Sequence, residues 1–481
     1  MAYKHGIYGQ EVSTSLVPMT ETDAGLIVAF GTAPVHLATE PAAANTPVLC
    51  YTYAEAVAAL GYSDDFEKYT LCEVMKAHFA LFNMAPIVFV NVLDAGTHKT
   101  AKEKSTVNVI KNVATLADPV LLNTLKVMLT SAGEPLVKDT DYTVAHDEEG
   151  NTIITTLEGG AAASASTLTV EYDMVDASKV TVNNIIGGVD PDTGKVEGLE
   201  LIDEVYPRFG LVPSIIIAPG YSHNPTVAAV MKAKTINICG HFRAIAIADA
   251  PTDEVNTYSK VSEWKNQNNY IDTSLILCWP MLSLGGVKYH MSTQLASLMN
   301  KVDAANGDMP YHSPSNSSLQ ADSAVLEDGK EIWLNSANAG YLNGQGVVTA
   351  LNFVGGWKAW GNRTTAYPSN TDVKDNMINI RRMFNWVNNT LITSFWSDID
   401  SPIDKKLINK AVNSANIWIN SLVATGALLG GRVEFRSDEN STTDLMDGKI
   451  TFHVYLTPPS PAREITFKQE YDPDYISTLF A

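Results

Sequence analysis

Five short apolar runs punctuate the chain: AGLIVAF at 24–30, PIVFVNVL at 86–93, IIIAPG at 215–220, AIAIADAP at 244–251 and SLILCWP at 274–280. Runs of this length, closed by Gly or Pro and rich in Ile and Val, predict strands covered on both faces. Between them the apolar positions recur at helical spacing. YTYAEAVAALG at 51–61 predicts a short helix ending at Gly61, and Leu71, Val74, Met75, His78, Phe79 and Phe82 predict a second over 66–82. Further helices are expected after 224, at about 253–268 and at about 290–305. Strands alternating with helices predict an α/β body with a mainly parallel sheet.

Two regions depart from that pattern. Residues 100–186 read as short alternating pieces, among them DYTVAHDEEGNTIITTL with a turn at Glu149–Gly150 and LTVEYDMV, and predict a small inserted β module. Beyond about 350 a Trp- and Gly-rich stretch precedes a helix over 375–396 with Ile380, Phe384, Val387, Leu391 and Phe395 on one stripe. Ser401–Pro402 predicts the start of a second helix with Leu407, Ala411 and Trp418 on its inner face. ITFHVYL at 450–456 predicts a strand, and Ile465–Phe467 another beyond the Pro458–Pro461 break. The expected division is an arm at 1–20, a body at 21–99 and 187–350, the insertion at 100–186, a C-terminal α+β region at 351–460 and a second arm at 461–481. A terminal strand with nothing local to pair with gains its hydrogen bonds on a neighbour's sheet edge. Tyr3, Ile7, Tyr8 and Val12 on the first arm, and Ile465 and Phe467 on the second, are the candidate inter-subunit anchors.

Composition removes several classes of function. With 33 Lys and Arg against 53 Asp and Glu, the net charge is −20, a field that repels phosphate backbones and anionic bilayers. Direct nucleic-acid binding and membrane insertion are therefore not expected. Eight Trp, 14 Phe and 19 Tyr argue for a folded chain. Cys50, Cys72, Cys239 and Cys278 sit beside apolar residues with no CxxC pair, which predicts reduced thiols and folding in a reducing cytoplasm. Charge is uneven: over 376–420, Arg381, Arg382, Lys405, Lys406 and Lys410 face Asp398, Asp400 and Asp404, a local +2 that could dock an acidic partner or simply be a solvated helix face.

The chemical motifs fail one by one. DPDTGKV at 190–196 puts five residues between Gly188 and Gly194 and Val196 where a phosphate loop needs a hydroxyl. Asp249 ends a strand, where active-site acids stand, and His223 follows the neighbouring strand. However, no GxSxG surrounds Ser214, Ser222, Ser274 or Ser283, so Asp249 reads first as a turn or capping acid. The ten histidines form no HExxH. No catalytic residue, cofactor or metal is expected.

Taken in order, GIYGQEV, GGVDPDTGKVEGLELID at 187–203, IIIAPGYS, AIAIADAP, GGWKAWGNRT at 355–364, NIRRMFNWV at 379–387 and the strand–proline–strand tail make the chain resemble the contractile tail sheath proteins of bacteriophages and phage-tail-like bacteriocins. The resemblance covers essentially the whole chain. It implies a subtilisin-like α/β body without protease chemistry, an outward-facing insertion and a C-terminal region next to an inner tube. It also implies stacked hexameric rings of the chain itself joined by both arms, with the tail tube protein, baseplate and tail terminator as partners. Lys405, Lys406 and Lys410 would then be candidate tube contacts. The expected function is a structural sheath subunit whose contraction drives the tube through a cell envelope, with the subunit made in the host cytoplasm and carried in the virion tail. The rival readings are a serine hydrolase on the α/β body and a capsid or tube subunit.

Overall fold

The computed structural model describes residues 18–147 and 149–480. An eight-stranded sheet holds the middle of the molecule. Its strands run in the order Trp357–Trp360, Val347–Asn352, Leu275–Cys278, Ile245–Asp249, Ile215–Ile217, Ile27–Gly31, Ile87–Asn91 and Pro47–Cys50. The six inner strands are parallel, and each edge strand is antiparallel to its neighbour. Because side chains alternate across a strand, each apolar run supplies two cores. Ile27, Ile87, Phe89, Ile215, Ile217, Ile245 and Ile247 enter one; Val28, Phe30, Val88, Ile216, Ala246 and Leu277 enter the other. Complete burial of such side chains contributes about 1.5–3 kcal/mol each, which is why the runs need no alternation of polarity.

Helices cover both faces. Thr70–Met75 and Met291–Ala305 contribute Leu71, Val74, Met291, Leu295 and Met299 to the first core. Pro225–Ala233, Tyr258–Gln267 and Ser336–Gly344 contribute Val227, Met231, Val261 and Leu342 to the second. The expected 51–61 helix forms as Tyr53–Leu60, opened by a Thr52–Glu55 capping box and closed by Gly61 at φ 74°. The stripe expected over 66–82 starts only at Thr70 and passes into a π-helical turn at Lys76–Leu81.

Residues 99–175 fold around their own core of Val120, Val127, Ile154, Leu168, Val170 and Tyr172. They form two three-stranded antiparallel sheets. At the C-terminal end, Ile378–Phe395 and Lys405–Ala424 pack Met383, Trp386, Val387, Trp418, Ile419 and Leu422 together with Val433 of a two-stranded sheet, Gly430–Glu434 with His453–Thr457. The second helix is capped by Asp404, whose carboxylate accepts the Leu407 N–H at 2.7 Å, and not by Ser401.

The subtilisin-like body expected from the sequence is corrected. The chain builds mixed and antiparallel sheets with flanking helices, its main sheet antiparallel at both edges. The apolar runs reported burial on both faces, but they carry no information about strand order or the direction of the edge strands, which long-range connections decide.

Candidate assembly surfaces

The C-terminal ends of parallel strands are where an α/β enzyme would assemble its site, and here a cleft of about 820 Å³ opens there. Its floor is a locked polar network. Asp249 accepts the Ser292 N–H at 2.8 Å and the Ser292 hydroxyl at 2.5 Å, so it caps the Met291–Ala305 helix from across the sheet. Glu73 accepts the His290 N–H at 2.6 Å and meets its ring Nδ1 at 2.8 Å. Burial disfavours charge on His290, but the Glu73 carboxylate outweighs it and, helped by Asp249, lifts the imidazole to about 9. Burial pushes Asp249 up, against the pull of the His290 charge and the Ser292 hydrogen bonds.

Ser222 is fully buried; its hydroxyl accepts the Asp249 N–H at 3.1 Å and lies 3.4 Å from that carboxylate. No histidine among the described residues hydrogen-bonds to it, and the nearby imidazole of His290 is committed to Glu73. His223 lines the same cleft, but among the described residues no hydrogen bond joins its ring to Ser222, so the serine has no hydrogen-bonded base to activate it. The network fixes helices to the sheet. His78, 3.4 Å from the Ser297 hydroxyl, is buried in turn, and burial lowers it to about 4. Among the described residues no cluster of three His, Cys, Asp or Glu side chains could hold a metal ion, and no helix is long and apolar enough to cross a membrane.

The basic stretch is largely spent internally. Arg382 is buried and reaches both carboxylate oxygens of Asp303 and, at 2.8 Å, the Ala24 carbonyl. Arg381, also buried, lies 3.4 Å from Asp375. Lys410 is paired with Asp398 at 2.6 Å. Of the five cations only Lys405 and Lys406 stand exposed without an acidic partner among the described residues. The outer stripe of their helix continues through Asn409, Asn413, Ile417 and Asn420, so its charge is confined to the first turn.

Tyr3, Ile7, Tyr8 and Val12 lie outside the described residues. Ile465 and Phe467 are 71% and 86% exposed, and among the described residues their segment pairs with no strand. The sheet edges are treated unequally. Trp357–Trp360 is covered by the 316–319 loop through the Asn316 N–H to the Ala359 carbonyl and the Ala359 N–H to the Ser317 carbonyl. The Lys99–Asn108 edge carries Lys99, Lys102 and Lys104 and an irregular register between Lys102 and Ser105, devices that discourage a partner strand. In the C-terminal pair, the Asn416 side chain accepts the Val433 N–H at 2.9 Å and donates to its carbonyl at 2.8 Å, closing the Gly430–Glu434 edge. The outer edge of His453–Thr457 has neither a third strand nor a capping side chain among the described residues. Sequence reasoning missed Asn416: one asparagine in a helix carries no local mark of a strand 17 residues ahead.

No protein-family model matches the chain. It is 28% identical to the tail sheath protein of Burkholderia phage BcepMu over 99% of this chain and 98% of that one. It is 23% identical to the major tail sheath protein of Serratia phage KSP20 over 64% of this chain and 75% of that one. In fold it is similar to the sheath of an extracellular contractile injection system (PVC) in its contracted state, with a TM-score of 0.59, 14% identity and 99% of both chains covered. It is similar also to the contracted helical sheath of the anti-feeding prophage, with a TM-score of 0.57, 12% identity and 98% and 100% covered. Fold and likeness thus define a structural, non-enzymatic class in place of the subtilisin-like one. Over essentially its whole length the chain is similar to the contractile tail sheath proteins of bacteriophages and phage-tail-like particles.

Proposed function

We propose that this chain is the repeating structural subunit of a contractile sheath around a tail tube, in a virion tail or phage-tail-like particle, with copies joined by strand donation. The observation that carries the joining is the open edge of His453–Thr457 among the described residues, beside a Gly430–Glu434 edge closed by Asn416, a Trp357–Trp360 edge covered by the 316–319 loop and a Lys99–Asn108 edge that is charged. An exposed strand edge is a liability unless it has an occupant. The same chain carries an unpaired segment with Ile465 and Phe467 on alternate positions, the pattern a donated strand needs to bury one face. The N-terminal arm, with Tyr3, Ile7, Tyr8 and Val12, is the second donor in this reading. The copies would stack as six-subunit rings. The 351–460 region would face the tube through the Lys405–Ala424 helix, the 100–186 insertion would face outward, and the body would be 21–99 with 187–350. Baseplate and terminator proteins would close the two ends. Contraction would exchange one set of contacts for a lower-energy set while the donated strands hold neighbours together.

Deleting 463–481 tests this. The chain should stay folded and dissolved, while electron microscopy shows no sheaths. Normal sheaths from the truncated chain would refute strand donation by this arm. Shells or narrow tubes from the full chain would favour a capsid or tube subunit.

A further inference from the structure

The residues leading into the first sheet strand form a strap that lies along one stripe of a helix. The Thr20 N–H donates to the Ser394 hydroxyl at 2.8 Å and the Thr20 carbonyl accepts from Thr393 at 2.9 Å. The Thr22 N–H lies 3.4 Å from the Thr390 hydroxyl, and the Thr22 carbonyl accepts from Trp386 Nε1 at 2.8 Å. The Ala24 carbonyl accepts from Arg382 at 2.8 Å. Strap positions 20, 22 and 24 thus descend one stripe of the Ile378–Phe395 helix through 394, 390, 386 and 382. From Thr20 on Ser394 to Thr22 on Thr390 the periods match, two extended residues advancing about 6.6 Å and four helical residues about 6.0 Å; Thr22 then spans two helix turns through its N–H and its carbonyl. The intervening positions bond elsewhere: Glu21 accepts from Trp418 Nε1 at 2.7 Å, the Asp23 carbonyl from Ser214 at 2.7 Å, and the Gly25 carbonyl from Asn300 at 2.8 Å.

We infer that residues 20–25 are a mechanical anchor, which passes tension on the preceding N-terminal segment into the C-terminal helical layer before it reaches the central strand Ile27–Gly31. The inference rests on the reading of residues 1–20 as an arm held by a neighbouring copy. A pull along the strap loads its bonds side by side, in shear, so several must fail together. Without the strap the same pull would act directly on the strand that pairs with both Ile215–Ile217 and Ile87–Asn91 in the middle of the sheet.

The test combines Thr390→Val with Ser394→Ala in the full chain, each removing one hydroxyl that faces the strap. In the unassembled protein, amide hydrogen exchange at Thr20 and Thr22 should accelerate about fivefold for each neutral bond lost, while the amides of Ile27–Gly31 keep their protection. Sheaths of the variant should assemble and then fragment when driven to contract. Exchange unchanged at Thr20 and Thr22, or contracted sheaths as intact as the parent's, would overturn the anchor. Thr390→Ser, which keeps the hydroxyl, should restore Thr22 protection; failure of that rescue would assign the effect to packing and also overturn it. A chain lacking residues 1–17 separates the two readings. If it assembles and contracts normally, the donated N-terminal arm is wrong; if it cannot form sheaths while the double variant contracts intact, only the anchor is wrong.

Discussion

Replacing Glu73 by Gln keeps the size of the side chain and removes the charge that faces His290 in the strand-end cleft. The two side chains are 1% and 19% exposed, so solvent screens the pair little. The imidazole stands at about 9 in the folded chain against an ordinary 6.5. At about 1.36 kcal/mol per pKa unit the net rise corresponds to about 3 kcal/mol, the balance of Glu73 and Asp249 against burial. A folded-state pKa raised above the unfolded value stabilises fully below about pH 6.5, and the effect disappears as the pH rises through about 9. Linkage gives about 3 kcal/mol at pH 6.5, about 1 kcal/mol at pH 8 and almost nothing at pH 10. Urea unfolding of unassembled parent and Glu73→Gln chains, followed by tryptophan fluorescence at these three values, measures the difference directly. The gap between the two should close by about 3 kcal/mol from pH 6.5 to pH 10, with Asp249 common to both. A gap independent of pH, or a variant as stable as the parent at pH 6.5, would refute the assignment of a charged His290 held by Glu73.

Arg382→Ala leaves Asp303 buried without its counter-charge and should cost about 3–5 kcal/mol in thermal or urea unfolding; a loss under 1 kcal/mol would show that Asp303 finds water or a proton at little cost. Asn416→Ala uncaps Val433 and should cost about 1–3 kcal/mol, with light scattering reporting side-by-side association through the newly opened edge. Changing both Lys405 and Lys406 to Glu should leave stability within about 0.5 kcal/mol but weaken cosedimentation with isolated tail tubes most at low salt. Unchanged binding would remove these lysines from the tube contact.

Much of the body could be read from local pattern, and the surfaces could not. Each apolar run from 24 to 280 became a strand because Ile and Val crowd poorly in helices and bury well in a sheet covered on both faces. Gly61 likewise ends its helix where the pattern placed the end. The local +2 over 376–420 was misleading as a surface charge: Arg381 and Arg382 turn inward to Asp375 and Asp303, and Lys410 is held by Asp398. A count of charges along a sequence does not know which of them share a partner. The exposed strand-like chemistry of Ile465 and Phe467 was legible; the edge left open at His453–Thr457 was not.

The sequence by itself determined which segments must be buried, where several turns fall, and that no familiar catalytic motif is present, because those depend on side-chain identity and on spacing within a few residues. Tertiary structure alone decided the order and direction of the strands, the welding of Asp249 to Ser292 and of Glu73 to His290, the closing of one sheet edge by Asn416, and the seating of residues 20–25 on the stripe from Arg382 to Ser394. These contacts join groups from 17 to more than 370 residues apart. Their geometry follows from how whole elements pack, and a hydrogen bond of fixed length has no counterpart in any local pattern of the chain.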